Sequence, residues 1–306
     1  MLATQQLRMG YRSLLRPATF CGRTGHAIRL YSSSGASDGS LTLAYDRYDP
    51  KGVTPKGEPI VFVHGIFGSK VNNRTVSKVL ARDLQKSVFC IDLRNHGDSP
   101  HNPRHDYNAL AEDVENFINE HKLGPSILIG HSMGAKAVMG VALRKPDLVR
   151  AVIPVDNAPI DAKLSSSFWR YVRAMKKIAD AEVTNQKEAY KIMAEEEESL
   201  PVQQFLLSNM RKKDGVYKFR VPLDILGKSL DNMAEFPFSK DSRYTGPALF
   251  IRGTKSTYVT DEAYSAIAHY FPCFVLKDVE AGHWLISEKP QDFLDITREF
   301  IAGLDA

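Results

Sequence analysis

The chain has 306 residues, 43% hydrophobic and 25% charged, an ordinary globular composition that can bury a core without disulfides or a metal. Its formal charge is +4, but residues 1–37 hold Arg8, Arg12, Arg16, Arg23 and Arg29 and no Asp or Glu, so the rest stands at −1. A near-neutral body argues against a nucleic-acid surface. No apolar run approaches the roughly 20 residues that cross a bilayer, so no transmembrane segment is expected.

Taken in chain order, residues 1–37 read as a mitochondrial transit peptide. The segment is Arg-rich, acid-free and hydroxyl-bearing, with Leu2, Leu7, Tyr11, Leu14 and Leu15 spaced as one helical face. Arg29-Leu30-Tyr31-Ser32 resembles a matrix-protease site, with cleavage expected near Tyr31. Residence in the mitochondrial matrix is the corresponding expectation. The main domain is expected over 38–306.

Short unbroken apolar runs then recur at 41–45, 59–63, 87–91, 126–129, 151–155, 248–251 and 273–276. Such runs fit strands buried on both faces of a parallel sheet. Helix-period stretches at about 73–86, 109–121, 134–145, 260–270 and 290–302 alternate with them. The class is therefore α/β, a doubly wound, mostly parallel sheet. Cys90 and Cys273 each lie in an apolar run and read as small buried hydrophobes. No cysteine spacing suggests a metal or a redox pair.

Residues from about 160 to 243 break the rhythm. They read as a largely helical lid insertion, with Phe168, Trp169, Met175, Phe205 and Met233 among its apolar side chains. Some of these are expected to line an acyl pocket. The acidic run Glu195–Glu198 reads as a solvated helix face.

Gly130-His131-Ser132-Met133-Gly134 follows an apolar strand and opens a small-residue helix. In that context Gly-x-Ser-x-Gly lifts a serine clear of the sheet as a nucleophile. Serine needs a base. Gly282-His283-Trp284, after the last strand, supplies His283 in the order serine, acid, histidine. For the acid, the loop after 248–251 offers Ser256 where Asp is often found, and then Asp261 at a helix start. Asp156, at the carboxyl end of a buried strand, is the stronger candidate, because an unpaired charge there is costly and an imidazole N–H relieves it. Two backbone N–H groups should hold the oxyanion. Met133 follows the nucleophile, and Ile66, with Phe67 next, lies in the turn His64-Gly65-Ile66-Phe67-Gly68-Ser69. His64 and His131 read as packing or loop-fixing residues. Asp92–Ser99 reads as a structural hydrogen-bonded loop without chemistry.

Over residues 41–303 the chain resembles the α/β-hydrolase superfamily, through His64-Gly65-x-x-Gly68-Ser69, Gly130–Gly134 and Gly282-His283-Trp284. Val155-Asp156-Asn157-Ala158-Pro159, Gln204–Asn209 and Leu230-Asp231-Asn232-Met233 resemble a mitochondrial subgroup. That subgroup holds animal lipase-like hydrolases and yeast ethanol acetyltransferases. Ala135, where many relatives carry Gly, resembles the fungal branch. The resemblance implies a Ser132–His283–Asp156 triad, no cofactor and mitochondrial residence. It implies a small-molecule ester or acyl-CoA substrate, cleaved as a carboxylic ester or thioester. It also implies alcohol O-acetyl transfer, with acetyl-CoA as a substrate, as the alternative. A non-catalytic binding protein on the same fold is a further alternative.

Overall fold

The computed structural model describes residues 41–162 and 165–304. The expected transit peptide lies outside them. The sheet is built from β1 (Tyr45–Tyr48), β2 (Ile60–Val63), β3 (Val88–Ile91), β4 (Ser126–His131), β5 (Val149–Val155), β8 (Ala248–Gly253) and β9 (Phe274–Val279). Their spatial order is β1-β3-β2-β4-β5-β8-β9. Only β1 runs antiparallel, against β3; the other pairings are parallel.

Helices cover both faces: α1 (Arg74–Leu84), α2 (Tyr107–Glu120), α3 (Met133–Arg144), α8 (Tyr264–Tyr270), α9 (Leu285–Glu288) and α10 (Pro290–Gly303). Alternate strand residues point to opposite faces. Val61, Phe89, Leu128 and Val152 pack with α2, α3 and α8. Ile60, Phe62, Val88 and Ile129 pack with α1 and α10. With both faces covered, the central strands carry no polar alternation, which is why their runs stand out in the sequence.

The first strand starts later than its apolar run. The Ala44 carbonyl accepts from the Asp92 amide at 2.8 Å, and its own amide donates to Ser99 Oγ at 2.8 Å, so residues 41–44 bind the loop after β3. Cys273 corrects an expectation: it is exposed, because β9 is an edge strand and its run is only half covered.

Between β5 and β8 lie α4 (Ser166–Asp180), α5 (Gln186–Met193), α6 (Leu200–Leu207) and α7 (Leu223–Lys228). They are joined by a hairpin of β6 (Met210–Lys213) and β7 (Val216–Phe219), which a purely helical reading missed. Its signal was Asp214-Gly215. Both residues take positive φ, 52° and 86°, as a two-residue hairpin turn requires. Glu195–Glu198 also departs from expectation: the run leaves α5 as a turn instead of forming a helix face. Glu196 is bound by Arg173 at 2.6 Å, and Glu197 accepts from the Tyr171 hydroxyl at 2.6 Å, tying the turn to α4.

Candidate active site

The carboxyl ends of the parallel strands open onto one crevice, where ligands bind in open α/β sheets. Ser132 stands between β4 and α3 with φ 55° and ψ −115°. Two glycines permit that sharp turn. A Cβ on Gly130 would fall 2.2 Å from the Gly134 carbonyl oxygen, and one on Gly134 would fall 2.5 Å from that of Val63. The Ser132 amide donates to the Val155 carbonyl at 2.9 Å, and Asn157 Nδ2 donates to the Ser132 carbonyl at 3.1 Å. The strained Ser132 is thus held from β5 and the residues just after it.

The three residues expected to act together are brought into one line. Ser132 Oγ lies 2.9 Å from His283 Nε2, and His283 Nδ1 lies 2.7 Å from Asp156 Oδ2. With the proton on Nδ1 donated to the carboxylate, Nε2 is free to accept the serine proton. Asp156 is fully buried at the end of β5, and its burial is compensated. Oδ1 accepts from the Gly253 amide at 3.0 Å, and Oδ2 also accepts from the Ser256 hydroxyl at 2.5 Å. Ser256 therefore stands where an acid was sought and donates to Asp156 at the end of the neighbouring strand. Asp261, the alternative, is 92% exposed and paired with Arg252, away from this line.

Two rings brace His283. Tyr258 stacks on it with centroids 4.1 Å apart. His131 Nε2 donates to the His283 carbonyl at 2.7 Å. His131 is thus a loop-fixing residue, and the loop it fixes carries His283.

The amides of Ile66 and Met133 meet no protein acceptor among the described residues. That of Phe67 is already donated to His96 Nε2 at 3.1 Å, which removes it from the oxyanion candidates. The turn is closed by Gly68 N–H to the Gly65 carbonyl at 2.9 Å. From the insertion, Asn209 Nδ2 donates to the Phe67 carbonyl at 2.7 Å, a contact across 142 residues that sequence reading did not supply. The Asp92–Ser99 loop is structural: Lys70 binds Asp92 at 2.5 Å, and Arg94 grips Asp113 at 2.5 and 2.7 Å.

A chamber of about 10 Å³ borders Ser132, with Ile66, Met133, Phe168, Met233 and Tyr258 in its walls. Of the insertion's apolar residues, Ala162, Phe168 and Met233 reach it. Phe205 instead packs on Trp284, centroids 4.7 Å apart, beside a groove of about 330 Å³ that Gly65 and His131 also line. Among the described residues no three His, Cys, Asp or Glu side chains are placed to hold a metal, and no helix is long and apolar enough to cross a membrane.

The family profile for the alpha/beta hydrolase fold matches residues 58–290. The chain belongs to the alpha/beta hydrolase fold family. It is similar to mouse "sn-1-specific diacylglycerol lipase ABHD11", 36% identical over 296 residues, covering 95% of this chain and 94% of that protein. It is similar to a "Probable alcohol acetyltransferase" of Saccharomyces cerevisiae, 35% identical over 289 residues, covering 85% of this chain and 83% of that protein. Among solved structures it is similar to a "Marine microorganism esterase", TM-score 0.80 and 32% identity, covering 85% of this chain and all of that one. This alpha/beta hydrolase is an enzyme, with relatives that act on esters.

Behind the His64–Ser69 turn the hydrolase buries a row of histidines, with His64 and His96 centroids 5.0 Å apart and His96 and His105 5.7 Å apart. Burial lowers His64 to about 4, His96 to about 3 and His131 to about 4. His105 is pushed well below its ordinary value by the same cause. A neutral ring is required of His64 and His96, because each accepts a backbone amide through Nε2, from Leu93 at 3.0 Å and from Phe67 at 3.1 Å.

The folded values lie below the ordinary 6.5, so between the two the unfolded chain binds more protons. Stability is therefore full above pH 6.5 and drains as pH falls toward about 4. Each pH unit costs about 1.4 kcal/mol per such histidine. The melting temperature is expected to drop steeply between pH 7 and 4.5; a flat profile over that interval would contradict the assignment.

Proposed function

We propose that this enzyme cleaves carboxylic esters or thioesters through an acyl-enzyme on Ser132. The observation that carries the reading is the unbroken line from Ser132 Oγ to His283 at 2.9 Å and on to Asp156 at 2.7 Å. Ser132 attacks the acyl carbonyl. His283 takes the serine proton and delivers it to the departing alkoxide or thiolate. Asp156 fixes the imidazole tautomer and stabilises its charged form. The amides of Ile66 and Met133 receive the oxyanion. Water, activated by His283, then releases the acid and restores the serine.

Alcohol acetyl transfer is the second reading, with acetyl-CoA as a substrate and no resident cofactor. The resemblance to the yeast relative supports it. Incubation with acetyl-CoA alone is expected to give acetate. Added ethanol should divert part of the flux into ethyl acetate, with acetate falling in step. Ethyl acetate at the uncatalysed level would remove this reading and leave hydrolysis standing.

The arginine-rich segment supports a mitochondrial matrix address. Import and shortening near Tyr31 in isolated mitochondria test it; retention of full length outside the organelle would oppose it.

A further inference from the structure

The wall of the chamber holds one residue that ester hydrolysis does not use. Lys136 lies four residues beyond Ser132 on α3, one helical turn along the same face. It is 1% exposed and lines the same chamber. Lysine is almost never fully buried unless paired. Among the described residues, however, no carboxylate stands within ion-pairing distance of it. Its ammonium donates to the carbonyls of Ala234 and Glu235, both at 2.9 Å, and sits 5.3 Å from the Tyr107 ring centroid. Burial lowers its pKa to about 8, with Asp161 and Glu235 opposing from farther off, so it is mainly cationic at neutral pH.

Fastening two carbonyls does not need a buried charge. A neutral amide side chain offers two donors; the ammonium has a third, still unspent. A second unspent donor borders the same space. The Tyr258 hydroxyl is buried and donates to no acceptor among the described residues, with the Ser165 backbone amide beside its oxygen; burial pushes its pKa up to about 12, so it keeps its proton. The chamber as closed has room for about one water, so an acyl chain must part its apolar walls to enter; a hydrocarbon chain would then leave both donors unpaired, which is costly in a dry site. An acyl chain ending in a charged acceptor would pair both.

We propose that the preferred acyl group carries a terminal carboxylate, as in a monoester or monothioester of a short dicarboxylic acid, held by Lys136 and Tyr258. This rests on the ester and thioester reading above. Ser132 Oγ bonds to the carbonyl carbon and the C–O or C–S bond breaks. The serine proton passes through His283 to the leaving alcohol or thiol. Water then splits the acyl-enzyme into serine and the free dicarboxylate.

The test uses matched thioesters of N-acetylcysteamine, with uncatalysed hydrolysis subtracted. Succinyl is paired with 4-methylpentanoyl, and glutaryl with 5-methylhexanoyl; each pair exchanges two carboxylate oxygens for two methyl groups. In the wild-type enzyme the carboxylate member of at least one pair is expected to have the higher kcat/KM, by about tenfold or more. That ratio should collapse in Lys136→Met and fall severalfold in Tyr258→Phe, which keeps the ring stacked on His283. Preference for the methyl member in both pairs overturns the proposal, as does a ratio untouched in both variants. If Lys136→Met does not fold, the wild-type pairs and Tyr258→Phe decide. Turnover of the methyl members without any carboxylate preference would sink this inference alone. Absence of turnover on every ester and thioester would sink the hydrolase reading beneath it.

Discussion

Ser132→Ala is expected to lower ester turnover by roughly 10⁵–10⁶-fold, the scale at which a serine nucleophile's loss is felt. The change removes one oxygen from a residue whose backbone is already committed. The elbow is held by the Ser132 amide on Val155, by Asn157 on the Ser132 carbonyl and by the close approach of Gly130 to Gly134. None of these contacts uses the hydroxyl. Alanine keeps the Cβ, so the strained conformation costs it no more than it costs serine. The melting temperature should therefore fall by no more than a few degrees, the worth of the single Ser132–His283 hydrogen bond that is lost. The measurement pairs hydrolysis of an activated short-chain ester with a thermal melt. Retained turnover in a folded variant would remove Ser132 from the mechanism.

Asp156→Asn is expected to cost about 10⁴-fold in kcat, because an amide facing Nδ1 favours the wrong imidazole tautomer. The structure gives this expectation a graded companion. Ser256 touches no reacting atom; it donates to the carboxylate oxygen that also binds His283. It is a positioning residue. Ser256→Ala leaves Asp156 with the Gly253 amide, so kcat should fall only about tenfold, the worth of one hydrogen bond to a charged group. Without that donor the carboxylate becomes a stronger acceptor for the imidazolium, so the acid limb of the kcat/KM profile should move to higher pH by a resolvable amount in Ser256→Ala. A merely structural role would lower activity without moving the limb. Equal losses in the two variants would contradict the assignment of the acid.

The comparison of sequence with structure follows from what each contact depends on. Runs such as Ile60–Val63 and Val149–Val155 were legible because burial on both faces removes polar alternation. The edge strand β9 carried a similar signal without the burial, and Cys273 was misjudged for that reason. Asp214-Gly215 carried a strong local turn signal that a helical reading of the insertion passed over.

At the site, Ser132 and His283 sit in local motifs, and Asp156 was legible from the cost of an unpaired charge at a strand end. The contacts His131 makes with the His283 carbonyl and Asn209 with the Phe67 carbonyl were not legible. They join elements far apart in the chain through backbone atoms that every residue possesses. Lys136 carries no local sequence signal: its burial arises only when the insertion's Ala234 and Glu235 are laid over the helix.

Covalent trapping tests the central claim most directly. The folded enzyme is incubated with a fluorophosphonate and the modified peptide is located by mass spectrometry. The account predicts a single stoichiometric adduct on Ser132, absent in Ser132→Ala and strongly slowed in His283→Ala. No adduct on folded protein, or an adduct that persists in Ser132→Ala, would contradict it.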